Sequence, residues 1–173
     1  MTMDTVLDWT HETRAIPEAG LDVTREAAPD MRAALAEALG IDACTRLVAR
    51  YTIKPFESGR FELHGDAEMT AKQTCVVTLD PIERTYRVRL DVAYWPPELL
   101  GDGPGADIDS LADDPEPIED GRLDVGRVVY EELASTVDPF PRSDGAAFDW
   151  KEEQTPTREN PFAALEKLKR RGD

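Results

Sequence analysis

The chain of 173 residues has two cysteines and two histidines, which are the residue types of a cysteine nucleophile and its histidine base. A cysteine attacks as its thiolate, which needs a nearby base. His64 lies eleven residues before Cys75 and, in an extended strand, points to the opposite face. Cys44 and Cys75 have no paired metal-ligand spacing. We therefore predict that both are buried structural thiols without a disulfide between them.

The sequence contains no other catalytic pattern. It has no glycine-rich phosphate loop, no serine nucleophile elbow and no quartet of metal ligands. No two acidic residues sit in an apolar setting of the kind that makes a carboxyl group a proton donor. The sequence therefore predicts a binding or assembly protein that is not an enzyme and that uses no cofactor.

Basic residues on predicted strands offer a candidate surface for contact with RNA phosphates or with a partner. Alternation along the strands places them on the solvated side. They are Arg46, Arg50, Lys72, Arg87 and Arg89. Glu62, Asp66 and Glu68 share that side, so an ordinary solvated face is the alternative interpretation. Because no aromatic residues interleave with these bases, stacking on single-stranded RNA is not indicated.

The stretch from Arg60 to Asp80 positions many of these residues, and it alternates with a period of two. Its odd positions are apolar or glycine apart from Gln73, and its even positions are polar apart from Val76. This pattern predicts a very long strand with one buried and one solvated face. We expect the strand to bend at Gly65, where the missing side chain tolerates a bulge.

Gln73 is the one polar residue on the side of this strand that is predicted to be buried. A buried amide needs hydrogen-bond partners. Gln73 therefore either satisfies backbone groups nearby or forms part of a binding surface, and the sequence leaves both interpretations open.

Two further alternating stretches complete a predicted antiparallel meander of three strands. They run from 44 to 54 and from 86 to 94. Register can be predicted by placing apolar residues opposite one another. This rule places Ile53 opposite Phe61 and, across the second turn, Leu79 opposite Tyr86.

Two main helices are predicted to pack on the sheet. The first covers residues 29–39, with Pro29 in its first turn, apolar residues at spacings of three and four, and a stop at Gly40. The second is capped by Asp124 and runs to Val137.

The predicted fold class is α+β, with a mainly antiparallel, strongly twisted sheet that is open or partly closed. Two short strands that begin at Val6 and Leu21 precede the first helix. Residues 1–147 are predicted to form a single domain. Within it, residues 98–120 are acidic, rich in glycine and proline, and free of basic residues, so we predict a disordered loop. Residues 148–173 form a predicted C-terminal tail.

The tail contains a predicted short amphipathic helix that starts at Asn160. Its apolar stripe consists of Phe162, Leu165 and Leu168. A helix of this length is not stable alone. It either docks on the sheet of its own chain or inserts into a groove of a partner.

The formal net charge is −16, from 36 acidic and 20 basic residues. Residues 41–95 contain equal numbers of both, so the acidic excess lies in the N-terminal segment, the central loop and the C-terminal part. Acidic segments repel phosphate and favour basic protein partners. Because no membrane span and no secretory signal is visible, we expect a cytoplasmic location and no membrane partner.

Five segments along the chain share their order and plausible spacing with one known family. They are Gln73–Pro81 (QTCVVTLDP), Asp120–Gly126 (DGRLDVG), Glu131–Ala134 (EELA), Asp138–Arg142 (DPFPR) and Glu159–Lys169 (ENPFAALEKLK). Together they resemble the YceD family of large ribosomal RNA subunit accumulation proteins. The resemblance implies a non-enzymatic factor that supports accumulation of large-subunit ribosomal RNA by binding a ribosomal protein or immature RNA. An acidic protein-binding adaptor without a ribosomal role is the alternative.

One departure from the family pattern concerns metal binding. Many members carry Cys-x-x-Cys-Leu with further cysteines later in the chain, which would suit a four-ligand zinc site. This chain has Thr78 in place of the second cysteine, and no cysteine follows. Metal binding is therefore not carried over.

Overall fold

The computed structural model describes residues 6–100 and 115–147, which form an α+β fold. The strands are β1 (Thr10–Glu12), β2 (Leu21–Glu26), β3 (Ala43–Pro55), β4 (Phe61–Thr74), β5 (Pro81–Trp95), β6 (Glu116–Pro117) and β7 (Arg122–Asp124), and the helices are α1 (Pro29–Leu39) and α2 (Val125–Thr136). Strands β2 to β6 form one sheet in chain order, antiparallel except for the parallel pair β5–β6. The sheet is open, and β1 and β7 form a separate antiparallel pair. The predicted fold class is confirmed.

The central strand β4 has the two faces that its alternation predicts. Leu63, Met69 and Ala71 are fully buried on one side, while His64 and Lys72 on the other side are exposed. The strand is shorter than predicted, because it ends at Thr74. No helix among the described residues is both long and apolar enough to cross a membrane.

The hydrophobic core lies between one face of the sheet and the two helices, with α1 packed against β3 and α2 against β5. Its largest fully buried side chains are Tyr94, Leu7, Leu35, Leu47, Ile53, Leu63, Met69, Leu90, Leu123, Leu133, Val125 and Val129. Burial of each such side chain stabilises the fold by about 1.5–3 kcal/mol relative to its exposure. The opposite face of the sheet carries the charged residues of β3 and β4 and most of those of β5. Arg84 of β5 is the exception, because it lies opposite the buried Ala71.

Both helices begin and end close to where the sequence places them. Gly40 adopts the left-handed conformation at φ 65°, and the N–H of Ile41 donates to the Ala36 carbonyl at 3.0 Å. The Asp124 carboxylate accepts from the N–H of Arg127 at 3.0 Å, which caps α2. The predicted stop and cap are confirmed.

Both predicted registers are wrong. Ile53 lies opposite Leu63, two residues from its predicted partner, because β3 continues to Pro55 before the turn. Tyr86 lies opposite Met69, ten residues from the predicted Leu79. The second error is large because β4 stops before the turn 75–80, in which Leu79 takes a positive φ of 63°. Both shifts are even, so the buried and solvated faces stay as predicted.

Two predictions about the less regular segments also need correction. The first strand begins at Thr10 rather than Val6, because the segment before it buries Leu7 and Trp9 without strand pairing. The predicted disordered loop is ordered at both ends. Pro97–Leu99 forms a 3-10 turn at its start, and at its end β6 pairs with β5 and Ile118 is buried. Backbone pairing and this apolar anchor outweigh the acidic composition of residues 115–120. Residues 101–114 and the predicted helix with Phe162, Leu165 and Leu168 lie outside the described residues.

β4 has no bulge at Gly65, because it keeps its register with both neighbours there, and the bend expected at this residue stays a prediction. The irregularity lies in β3, between Cys44 and Arg46. Gly65 serves a different purpose. A Cβ atom at this position would lie 2.2 Å from the Arg50 carbonyl oxygen and 2.6 Å from the Tyr51 Cα, so the glycine permits close approach of β3.

We expect Gly65→Ala to destabilise the protein by about 2–3 kcal/mol, because the added methyl group must displace the β3 backbone. Gly40→Ala is the matched control, since a Cβ atom there would meet nothing within 4 Å. Only the left-handed conformation of the new alanine destabilises this variant, by roughly 1 kcal/mol. Urea unfolding followed by circular dichroism gives both free energies. A loss at Gly65 no larger than that at Gly40 would contradict the steric explanation.

Candidate partner-binding site

Two segments far apart in sequence meet at the end of strand β4. One is residues 73–80, and the other is residues 138–143, which follow helix α2; together they are called the junction. The N–H of Val76 donates to the Pro141 carbonyl at 2.9 Å. Arg84 donates to the Asp138 carboxylate at 2.9 Å and to the Arg142 carbonyl at 2.5 Å. The first bond joins the two segments directly, and the two bonds from Arg84 hold the second segment on strand β5.

Gln73 lies inside the junction and is 5% exposed. Its side-chain N–H donates to the Asp138 carbonyl at 2.9 Å, and its side-chain oxygen accepts from the Tyr86 hydroxyl at 2.5 Å. Both ends of the amide are therefore bound within the protein. The geometry favours a positioning role for Gln73 over direct contact with a partner.

The Cys75 sulfur is the centre of a second group of contacts in the junction. It lies 3.4 Å from the Ser143 hydroxyl and accepts from the backbone N–H of Ser143 at 3.3 Å and of Thr78 at 3.4 Å. Hydrogen bonds from Ser143, and then from Thr78, lower the pKa of Cys75 to about 6. Burial of this residue, which has no accessible surface, opposes the thiolate, but it is the smallest of the effects on this pKa.

The two histidines have hydrogen-bond partners other than Cys75. His11 bonds the Tyr51 hydroxyl at 2.8 Å, and burial, with a further contribution from Arg25, lowers the pKa of its imidazole. His64 contacts the Asp91 carboxylate at 2.9 Å on the solvated face. Both cysteines are buried and free, as predicted. In the described residues, no group of three or more His, Cys, Asp or Glu side chains could hold a metal ion.

Three large apolar side chains of the junction point into solvent. Val76 is 45% exposed, Leu79 is 75% exposed and Phe140 is 70% exposed. A positive φ is a sparsely populated conformation for leucine, and it persists only where the surrounding bonds impose it. Here the N–H of Leu79 donates to the Cys75 carbonyl at 2.9 Å. The junction therefore holds apolar groups outward rather than burying them.

A cleft of about 370 Å³ opens between the junction and the ends of both helices. Its walls are Ala38, Leu39, Gly40, Ile41, Asp42, Gln73, Thr74, Val76, Ala134, Val137, Asp138, Pro139 and Pro141. These described lining residues include two acids and no base. The cleft combines apolar walls with negative charge.

The five bases that the sequence places on one face do share the solvated face of the sheet, and all are exposed. Glu68 accepts from Arg46 at 3.1 Å and from Arg87 at 2.7 Å. Arg89 lies 3.6 Å from Asp91.

The remaining two bases of this face also stand beside acids. Arg50 lies opposite Asp66, and Lys72 lies opposite Glu83. The face is thus interleaved with acids and is not a continuous basic stripe. Its role in contacting RNA stays a prediction.

Sequence reasoning missed Val76, Leu79, Phe140 and Arg84 as members of a site. Alternation placed Leu79 inside a strand, and nothing local predicts its positive φ. The available signal was the resemblance, because two of its segments, 73–81 and 138–142, supply nearly all of the junction.

We expect Gln73→Leu to destabilise the protein by about 2–3 kcal/mol, because it leaves the Asp138 carbonyl and the Tyr86 hydroxyl without partners in a buried site. Tyr86→Phe removes one of these bonds and should cost about 1 kcal/mol. Urea unfolding of both variants and of the double variant measures the coupling. Wild-type stability in Gln73→Leu would argue against a positioning role.

The lowered pKa of Cys75 predicts a pH-dependent contribution to stability. A folded-state pKa of about 6 lies below that of an unfolded cysteine, so the thiolate stabilises the fold fully above about pH 8.5, and this stabilisation is lost as the pH falls through 6. The difference in unfolding midpoint between wild type and Cys75→Ala should therefore grow from pH 5.5 to 8.5 under reducing conditions.

Cys44→Ala is the control for this titration, since burial raises the pKa of Cys44 and its thiol stays neutral over that range. The difference in unfolding midpoint between the wild type and Cys44→Ala should not grow as the pH rises. A pH-independent difference for Cys75→Ala would contradict the proposed thiolate.

The comparisons with known proteins give one match. A family model described as "Large ribosomal RNA subunit accumulation protein YceD" matches residues 63–169, which is more than half of the chain and includes both segments of the junction. No curated protein and no solved structure matches the chain significantly. On the strength of the match with the family model, the chain belongs to the YceD family.

Proposed function

We propose that this protein supports accumulation of large-subunit ribosomal RNA as a non-enzymatic factor of the cytoplasm, and that it does so by binding a protein partner at the junction. The family description supports the ribosomal part of this proposal. The junction supports the rest, because hydrogen bonds hold Val76, Leu79 and Phe140 out in solvent. Exposed apolar groups on a fixed backbone are typical of protein interfaces.

The charges of the molecule favour a protein over RNA as the direct partner. A net charge of −16 opposes the approach of phosphates at physiological salt. On the solvated face, Glu68 alone occupies two arginines through ion pairs. A ribosomal protein, which carries basic and apolar groups together, suits these surfaces better than immature RNA does.

The surroundings of Cys75 support a role without catalysis. Its sulfur has no accessible surface and is engaged by Ser143 and Thr78. A substrate would have to displace the segment 138–143 before it could reach the thiolate.

Depletion and complementation in cells of the source organism test this proposal. Depletion should reduce the large-subunit peak in a sucrose gradient and the level of its ribosomal RNA. Wild type should restore both, and the double variant Leu79→Ser with Phe140→Ser should not. Phe56→Ser is the matched control, since Phe56 is 54% exposed on the turn between β3 and β4, at the other end of the hairpin.

The same experiment separates the competing functions. An unchanged large-subunit peak on depletion would remove the ribosomal role and leave the adaptor. Failure of a variant with Arg50→Gln and Arg89→Gln, together with rescue by the junction variant, would instead point to RNA contact by the solvated face. Affinity capture before and after RNase treatment then identifies whether the retained partner is a protein.

A further inference from the structure

We infer that the cleft between the ends of α1 and α2 binds a segment of a partner protein that carries lysine or arginine next to apolar side chains. This inference rests on the proposed function in that it takes the partner to be a protein. It adds the place of binding and the chemistry of the bound segment.

The negative charge of the cleft has two sources. Helices α1 and α2 both end there, at Gly40 and Val137, and each C-terminus carries the equivalent of about half a negative charge. Neither of these two helices has a basic residue in its last turn to offset that charge. The carboxylates of Asp42 and Asp138 add to it.

Asp42 is the less compensated of the two carboxylates. Asp138 pairs with Arg84 at 2.9 Å and accepts from the N–H of Phe140. Asp42 is exposed and accepts from the Thr74 hydroxyl at 2.8 Å. In the described residues it makes no ion pair, so it is available to a cation of a partner.

The apolar walls determine what must accompany the cation. Leu39, Val76 and Val137 line the cleft together with Pro139 and Pro141. The exposed Phe140 lies between these two prolines in sequence and extends the apolar surface toward solvent. A volume of about 370 Å³ is within the range of sites that enclose ligand groups. An apolar side chain flanked by cations fits this combination, whereas a phosphate would meet like charge.

The chain's own C-terminal segment is the competing occupant, since it places Lys167 and Lys169 beside Leu165 and Leu168. It also carries Glu166 next to Leu165 in sequence, and this carboxylate would meet the negative cleft. A more basic partner segment is therefore the better complement.

Fluorescence anisotropy on the full chain tests the inference with a short labelled peptide of lysine, arginine and leucine. A peptide with glutamate in place of each cation is the control ligand, and a short single-stranded RNA serves as a third probe. We expect the cationic peptide to bind at least tenfold more tightly than either of the others.

Variants locate the binding. Ala134→Trp fills the cleft from an exposed position of α2 and should weaken the cationic peptide at least tenfold, while Ser135→Trp, its neighbour outside the cleft, should not. Asp42→Lys should weaken binding several-fold, and Glu18→Lys, which makes the same change in net charge away from the cleft, should not. Circular dichroism melts establish that each variant is folded.

Three results would overturn the inference. The first is equal binding of the cationic peptide to Ala134→Trp and wild type. The second is tighter binding of RNA than of peptide. The third is a change in the NMR signals of Leu39 and Val137 when Phe162 and Leu165 are both replaced by serine without peptide, because the cleft would then hold the chain's own tail.

The outcome is separable from that of the proposed function. Localised peptide binding with an unchanged large-subunit peak on depletion would refute only the ribosomal role. Loss of the large-subunit peak with no peptide binding at the cleft would refute only this inference.

Discussion

Strand β4 is hydrogen-bonded to β3 on one side and to β5 on the other along nearly its whole length, and this two-sided pairing constrains the rest of the molecule. A strand in that position cannot shift without breaking both ladders, so every second side chain is committed to the core. Close approach of β3 requires Gly65 at one point. The same alternation brings a polar residue, Gln73, to the buried side just where the strand ends.

The junction supplies a hydrogen-bond partner for that buried amide. An unpaired buried amide would destabilise the fold by about 1–3 kcal/mol. The Asp138 carbonyl, 65 residues later in the chain, accepts from the amide and avoids this loss. The ion pair of Arg84 and Asp138 is more than one-third exposed on both side chains and contributes less than about 1 kcal/mol. The buried hydrogen bonds therefore contribute more to the stability of the junction than this ion pair does. These bonds fix the backbone of the junction, and the exposed positions of Leu79 and Phe140 follow from that backbone.

The two surfaces that this framework presents differ in charge. On the solvated face of the sheet, acids and bases alternate across neighbouring strands, and Glu68 bridges Arg46 and Arg87. In the cleft, two helix C-termini and two carboxylates lie together, and its described lining residues include no base. A cationic partner gains Coulomb energy at the cleft and little at the balanced face. The local arrangement of charged groups, more than the net charge of the chain, thus decides where a basic protein would bind.

By itself, the sequence determined which side chains are hidden and where the helices lie, because alternation, apolar spacing and end signals such as Gly40 and Asp124 are local properties of the chain. It could not determine strand register, since any even shift keeps apolar residues opposite one another. It also could not place Leu79 outside the strand, because hydrogen bonds within the folded turn impose its conformation. Only the tertiary structure brought residues 73–80, residues 138–143 and the two helix ends together, because their contacts depend on the path of the whole chain between them.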